Sequence, residues 1–381
     1  MVKLGIYSCA LLMMGAIAVA SNLTNIMAAF PDVDPTTIVS YMISIPCLIV
    51  IPVTIITGKL MEKMAKKTLM IIGVLCWLIG GIMPFFLTSL GAILVMRCII
   101  GVGVGMVQTL CAALVVENFE DEAERNQTMG NVAAFQMVGC VIFSLVAGNL
   151  GSISWNMAFL VHLIAVVSLL GAIFLLPYKK PEVNNSEKAK FTPTKSMWVW
   201  CMAFFIFMIG GQTYANSASS IITEMGLGDS AAAGYSLAIF AMGGAAMGFV
   251  FGKFAAFFKS MTLSAGCVMG AVAYIIMIFA PNLALSYIGA FIFGLALSVC
   301  IPCIMNGAAA SVSGESSGMA VSLATCLQNV GMALSPYIVT ALGASVAKSG
   351  TYTVNQGAML SGMVIMLIVA VVFAIMNRKQ K

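Results

Sequence analysis

Hydrophobic residues in this sequence occur in twelve long runs, and short segments rich in charge, glycine or proline separate the runs. A helix needs about 20 mostly apolar residues to cross the hydrocarbon core of a bilayer. Runs of this length predict an all-α membrane protein with twelve transmembrane helices. The predicted spans are residues 4–29, 36–58, 68–87, 91–114, 128–150, 156–177, 196–222, 231–256, 262–280, 283–309, 317–345 and 354–376.

Polar positions repeat between the two halves of the chain at a spacing of 194 residues, which slips to 192 further along. The recurring pairs include Asn22 and Asn216, Tyr41 and Tyr235, Gly58 and Gly252, and Gln136 and Gln328. This repeat predicts two pseudo-symmetric six-helix bundles, residues 1–178 and 196–381, joined by a polar linker at 179–195. Two related halves are typical of transporters whose bundles move about a site between them.

The composition agrees with a lipid-covered surface, because only 8% of the residues are charged and soluble domains carry about 25%. The eleven cysteines lie in apolar runs, where cysteine behaves as a small hydrophobic residue. With one histidine in the chain, we predict neither a metal site nor a cofactor. The sequence has no nucleotide-binding P-loop, so the energy for any transport must come from a gradient.

The basic residues are distributed unevenly over the predicted loops. If the N-terminus is cytoplasmic, 16 of the 18 Lys and Arg residues fall on the inner side. The two exceptions are Lys348 in an outer loop and Arg97 within a span. This asymmetry predicts a multi-pass protein of the cytoplasmic membrane with both termini in the cytoplasm. The net charge of +5 then follows from topology, and we expect no nucleic acid partner.

Short motifs next to the predicted spans resemble the signature sequences of the major facilitator superfamily. The loop at residues 58–67 places a glycine, an acid and a basic pair at Gly58, Glu62, Lys66 and Lys67. Further matches are Arg97 with Gly101 in the fourth span, and Arg125 five residues before Gly130. Glu62 replaces the usual aspartate and Ala65 the usual inner glycine. The fifth span lacks the Gly-Pro of the antiporter signature.

The resemblance implies the superfamily fold and secondary transport by alternating access, without enzyme activity. The expected partners are a small organic solute, the lipid bilayer and, as a candidate coupling ion, the proton, and we expect a monomer. Efflux of a drug-like or amphipathic metabolite is the first prediction. Uptake or exchange of an organic anion through Arg97 is the alternative. A third hypothesis is a non-transporting membrane sensor or scaffold.

Amide side chains in the first and seventh spans are the leading candidates for solute contact. Asn22 and Asn25 lie three residues apart and share a helical face, and Gln212 and Asn216 occupy the related part of the seventh span. An amide in hydrocarbon needs a hydrogen-bonding partner. These side chains are therefore predicted to face either a cavity or a neighbouring helix.

Further solute-contact candidates come from the polar residues that recur between the two halves and from isolated polar positions within spans. They are Gln136, Tyr235, Asn306, Gln328 and Asn329. A tyrosine contacts a ligand through its ring and hydroxyl, but it also anchors helices at the membrane interface. Interhelical hydrogen bonding is the alternative role for the amides.

Three ionisable side chains are candidates for charge-dependent steps. Arg97 lies within the fourth span, where a charge is costly and indicates function. It either attracts an anion or ties its helix to backbone carbonyls of the first two spans. Asp34 and His162 are candidates for proton coupling. Asp34 is predicted in the first outer loop and reaches the outer mouth of the cavity if the first helix runs longer. His162 is predicted within the sixth span, where a packing role is the alternative.

Charged residues on the predicted inner side suggest a gate. The gating candidates are Gly58, Glu62, Lys66, Lys67 and Arg125. The acidic run at 117–125 is expected to pair with the lysines of the 58–67 loop when the cavity is closed to the inside. The same lysines also satisfy the positive-inside rule or bind anionic lipid headgroups.

Overall fold

The computed structural model of the chain describes residues 1–179, 192–312 and 317–378. Within these residues the prediction of an all-α fold with twelve membrane-length helices is confirmed. The helices are α1 Val2–Ala29, α2 Pro35–Leu60, α3 Lys66–Phe86, α4 Leu90–Asn118, α5 Glu122–Ile153, α6 Met157–Leu175, α7 Lys195–Glu224, α8 Ser230–Phe258, α9 Thr262–Ile278, α10 Leu283–Ala310, α11 Ser317–Ala347 and α12 Val354–Arg378. Residues 180–191 of the predicted linker lie outside the described residues.

The start of α5 is the one helix boundary that differs clearly from its prediction. The helix begins at Glu122 rather than near residue 128, so the charged segment before residue 128 is helical. The Asp121 carboxylate caps this end by accepting the Glu124 backbone N–H at 2.8 Å. Acidic residues are favourable at a helix N-terminus because they cap free N–H groups and complement the helix dipole. The helix thus begins before its membrane-length part, which starts at Gln127, next to the predicted start of the span at residue 128.

The first of two compact units contains the described residues of Met1–Ser186 together with Asp229–Ala238. Within it, α1 packs against α5 and α6, and α4 packs against α2 and α3. Fully buried side chains such as Trp77, Leu110 and Phe143 form its core. The Trp77 and Phe143 rings meet edge to face with their centroids 5.3 Å apart. The beginning of α8 therefore belongs to the unit that α1–α6 form.

The second unit contains the described residues of Glu187–Gly228 and Ile239–Lys381. Three of its helix pairs repeat those of the first unit six helices later, because α7 packs against α11 and α12, and α9 packs against α10. Aromatic residues again fill the core, where the rings of Tyr274 and Phe293 lie 4.7 Å apart. Asn22 with Asn216, and Gln136 with Gln328, thus lie on helices with matching neighbours.

Candidate functional site

Both α1 and α7 depart from regular α-helical geometry near their amide side chains. In α1 the segment Leu11–Asn22 has the tighter 3₁₀ geometry, and Asn22 ends it with backbone angles of φ −111° and ψ 8°. In α7 the helix Lys195–Gly211 stops, Gln212 interrupts it, and Thr213–Glu224 continues. The leading candidates for solute contact therefore lie at helix interruptions in each unit.

In the first unit, two asparagines of α1 form hydrogen bonds to the end of α5 and to the segment that connects α5 to α6. The Asn22 side-chain nitrogen donates to the carbonyl of Trp155 at 2.6 Å, and that of Asn25 donates to the carbonyl of Gly151 at 2.8 Å. Because a carbonyl only accepts, these bonds fix the orientation of both amides. Asn22 Oδ1 is buried and has no hydrogen-bonding partner among the described residues.

In the second unit, Asn216 makes an equivalent connection from α7 to α11. Its side-chain nitrogen donates to the Ser335 hydroxyl at 3.1 Å, and that hydroxyl donates to the Ile209 carbonyl at 2.7 Å. Asn216 Oδ1 is buried and has no partner in the described part of the chain. Asn22 and Asn216, 194 positions apart, thus use their NH₂ groups within their own units and leave an oxygen unpaired.

The interruption of α7 is stabilised by side chains from neighbouring helices. The Tyr274 hydroxyl of α9 donates to the Gly210 carbonyl at 2.6 Å. Gln212 lies two residues after Gly210; it is 4% exposed, and its Nε2 atom has no partner within the described ranges. Sequence reasoning identified Gln212 but missed Tyr274, whose role depends on a contact between residues 64 positions apart.

Arg97 is fully buried in α4 and contacts backbone carbonyls of α1 and α2. Its Nε donates to the Met42 carbonyl at 3.0 Å, and Nη2 donates to the carbonyls of Met42 and Ala16. These are the contacts expected for a residue that ties the fourth helix to the first two. Nη1 is buried and has no partner among the described residues.

His162 lies in the aromatic core of the first unit. It is fully buried, and its ring centroid lies 4.8 Å from that of Trp77. Its Nδ1 lies 2.8 Å from the Phe159 carbonyl, and because a carbonyl only accepts, Nδ1 is the donor in this contact. These surroundings are those of a packing residue.

The remaining amide candidates lie along α5 and α11. Gln136 and Gln328 are both partly buried. Asn329 is also partly buried, and its side-chain nitrogen donates to the Thr325 carbonyl of its own helix at 2.9 Å. The two symmetric glutamines are thus similarly buried, and Asn329 has a partner within α11.

Three other candidates are exposed. Tyr235, in the part of α8 that belongs to the first unit, is 44% exposed, and Asn306 is exposed on α10. Asp34 is exposed at the N-terminus of α2, where its carboxylate accepts the Thr37 backbone N–H at 3.1 Å. This bond makes Asp34 the N-cap of α2. Among the described residues, no group of three or more His, Cys, Asp or Glu side chains is arranged to hold a metal ion.

Charged residues at one end of the first unit form two ion pairs. Lys66, at the start of α3, lies 2.8 Å from Glu117 at the end of α4. Lys3 of α1 lies 2.7 Å from Glu124 of α5. Each pair joins two helices of the same unit. Lys66 is thus in contact with the acidic run at 117–125, as the sequence suggested, and this contact lies within one unit.

The other gating candidates surround these pairs. Gly58 is partly buried near the end of α2, Glu62 is exposed in the following turn, and Lys67 is partly buried in the first turn of α3. Arg125 lies in the first part of α5, and its side chain is outside the described structure.

The Lys66–Glu117 pair is expected to contribute little to stability. Both side chains are about one-quarter exposed, at 26% and 23%, so a double-mutant cycle of Lys66→Met and Glu117→Gln should give a coupling of about 0.5–1 kcal/mol. Thermal unfolding of the purified single and double variants measures this. Lys67→Met is the control for removing charge alone. A coupling of several kcal/mol would contradict the expectation.

A close contact between α5 and the start of α8 was not predicted. The Ser230 hydroxyl donates to the Gly148 carbonyl at 3.1 Å, and a methyl group added to Gly148 would lie 2.8 Å from the Cα of Gly234. The two backbones therefore meet where both helices have glycine. Ser144 with Gly148, and Ser230 with Gly234, form the small-x-x-x-small spacing typical of close helix packing in membranes. That spacing was the available sequence signal.

The sequence profile of the Major Facilitator Superfamily matches residues 6–336. The chain belongs to the Major Facilitator Superfamily. This superfamily member is 28% identical over 144 residues to the putative niacin/nicotinamide transporter NiaP of Bacillus subtilis, a match that covers 38% of this chain and 34% of that protein. It is 27% identical over 176 residues to the vesicular acetylcholine transporter unc-17 of Caenorhabditis elegans, covering 44% and 32%. The chain thus spans about a third of each relative's length.

Solved structures resemble the superfamily member along nearly the whole chain. The POT family transporter PepTSo gives a TM-score of 0.78 at 10% identity and covers 99% of this chain and 97% of its own. A bacterial homolog of the human lysosomal transporter Spinster gives 0.73 at 15%, covering 99% and 96%. The human organic anion transporter MFSD10 gives 0.68 at 15%, covering 98% of both chains. At these identities the likeness establishes the fold alone.

Proposed function

We propose that this protein is a secondary active transporter that moves a small organic solute across a membrane by alternating access. The observation that supports this most directly is that α1 and α7 are interrupted near Asn22 and at Gln212. Irregular backbone at membrane depth is tolerated where it is buried in protein or lines a cavity. In many transporters discontinuous helices form the solute site.

The proposed organisation has two six-helix halves, residues 1–178 and 196–381, connected by the linker at 179–195. The distribution of Lys and Arg supports a position in the cytoplasmic membrane with both termini inside. The contact between Gly148 and Gly234 would then lie at the outer ends of α5 and α8. Alternating access would require this contact to form and separate during each cycle.

Export of an amphipathic organic solute is the proposed direction. The relatives named above include transporters of small nitrogen-containing organic compounds, niacin/nicotinamide and acetylcholine. The proposed site is lined by uncharged amides, which suits a solute without a high charge. Protons are the proposed coupling ion, with Asp34 and His162 as the candidate carriers. Asp34 already accepts an N-cap hydrogen bond and His162 is packed against Trp77, so these contacts favour neither residue over the other as the proton carrier.

Uptake or exchange of an organic anion is a second candidate, and one observation favours it. The Nη1 atom of Arg97 is buried and has no partner among the described residues. An anion that reached this nitrogen would receive a charge-assisted hydrogen bond. The Nε and Nη2 atoms of Arg97 already donate to the carbonyls of Met42 and Ala16. Binding of an anion by Arg97 would therefore depend on Nη1 alone.

A whole-cell accumulation assay tests export against anion uptake. Cells that express the protein should accumulate several-fold less Nile red, an uncharged amphipathic dye, than cells with an empty vector, and Asn22→Ala and Asn216→Ala should remove the difference. Asn149→Ala, an exposed amide that bonds only the Leu145 carbonyl of its own helix in the contacts described, is the matched control. Higher benzoate accumulation that depends on Arg97 would instead favour anion uptake. Unchanged accumulation of Nile red and benzoate would contradict both.

A further inference from the structure

Two buried side-chain atoms of opposite hydrogen-bonding character lie one helical turn apart on α7. Gln212 Nε2 is a donor and Asn216 Oδ1 is an acceptor, and neither has a partner among the described residues. The two side chains are 4% and 5% exposed. The Asn216 backbone N–H donates to the Gln212 carbonyl at 3.1 Å. This turn is therefore helical and places both side chains on the same face.

The bonds around Asn216 determine which of its polar atoms is unpaired. The Ser335 hydroxyl gives its only proton to the Ile209 carbonyl, so towards Asn216 it can only accept. The Asn216 NH₂ group must therefore point to Ser335, and the oxygen is left over. An unpaired buried polar group costs about 1–3 kcal/mol, so two of them on one helical face indicate a place where a ligand or water binds.

We propose that Gln212 and Asn216 form a binding site for an uncharged solute that carries a carboxamide group. The solute carbonyl would accept from Gln212 Nε2, and the solute N–H would donate to Asn216 Oδ1. This inference rests on the proposed transport function, and it specifies the class of solute. It also assigns a separate task to each residue of the pair.

The same pair discriminates against charged solutes. A carboxylate offers only acceptors and would face Asn216 Oδ1 without a proton between them. An alkylammonium offers only donors and would leave Gln212 Nε2 unpaired. A site built from buried hydrogen-bonding groups rejects an analogue that cannot satisfy them more strongly than an apolar pocket rejects a small change in size.

Three compounds that share a pyridine ring test the pair without changing the protein. Nicotinamide carries the carboxamide, 3-acetylpyridine keeps only the carbonyl, and nicotinate carries a carboxylate. We expect nicotinamide to raise the melting temperature of the purified full chain. Its apparent Kd should be about tenfold lower than that of 3-acetylpyridine, and nicotinate should not bind measurably. Equal binding of the three compounds, or no stabilisation by any, would overturn the proposal.

Substitutions then assign the effect to the two residues. Gln212→Met and Asn216→Leu keep side-chain volume and remove the hydrogen-bonding atoms, and each should weaken nicotinamide binding about tenfold. Asn149→Leu, at an exposed position on α5, should leave the Kd unchanged. Size-exclusion chromatography identifies a variant that does not fold. In that case the comparison of the three pyridines on the wild-type protein still tests the proposal. Nicotinamide binding that both folded variants retain would contradict the assignment.

Failure of this proposal can be separated from failure of the transport proposal. If the cells export Nile red while the three pyridines bind equally, the carboxamide site is wrong and transport stands. If nicotinamide binds through Gln212 and Asn216 while reconstituted vesicles move neither it nor Nile red, the site stands and the transport proposal fails.

Discussion

Replacing Arg97 with lysine is expected to lower the stability of the protein by about 2–3 kcal/mol and its transport rate at least tenfold. The guanidinium reaches the carbonyls of Met42 and Ala16 at once and so connects α4 to α1 and α2. A lysine ammonium is a compact charge that lacks this fork. The Arg97→Lys protein therefore still buries a positive charge, but it loses some of the hydrogen bonds to the carbonyls of Met42 and Ala16 that compensate for that burial.

Arg97→Met should be less destabilising than Arg97→Lys, because removing the charge also removes its burial cost. Thermal unfolding in detergent and transport in reconstituted vesicles measure the two variants. Lys348→Met, at an exposed basic residue after α11, is the control for losing one positive charge. If Arg97→Lys keeps wild-type stability and transport, charge alone is sufficient and the anion-contact hypothesis gains support.

Gly148→Val is expected to abolish transport with the protein still folded. The side chain would be forced against the Cα of Gly234 and the Ser230 carbonyl, each 2.8 Å from a Cβ at this position. Both obstacles are backbone atoms, so no side-chain rotation makes room, and α5 and α8 would have to move apart. If the cycle requires this contact to form, we expect at least a tenfold loss of rate, equivalent to about 1.4 kcal/mol in a barrier.

Gly130→Val provides a matched control on the same helix. Nothing lies within 4 Å of a Cβ added at Gly130, so this substitution should leave both transport and stability close to wild type. Uptake by reconstituted vesicles, together with size-exclusion profiles, compares the two variants. Normal transport by Gly148→Val would mean that the close approach of α5 and α8 is not part of the cycle.

The helices of this protein could be predicted from its sequence because the signals are local. Each span is a run of apolar residues with charge, glycine or proline near its ends, and both features lie within one helix length. The charged turn that precedes the membrane-length part of α5 was not predicted, because Asp121 and Glu122 read as a polar loop. Whether acidic residues cap a helix or occupy a loop depends on backbone geometry, which composition does not specify.

The candidate site was predicted in part. The repeat identified Asn22 and Asn216, since polar residues that recur within apolar runs are visible without a structure. Their partners are Trp155 and Ser335, which are 133 and 119 residues away. No periodicity links residues at such separations, so sequence reasoning left open whether each amide faces a cavity or a neighbouring helix.

The sequence by itself determined the twelve spans, the duplicated halves and the amides that recur in α1 and α7. It did so because hydropathy, charge and internal repetition can be read along the chain. Only the tertiary structure decided which atoms these amides leave unpaired, which carbonyls Arg97 holds and where α5 meets α8. A hydrogen bond or a backbone contact requires two groups within a few ångströms, and folding alone brings distant segments so close.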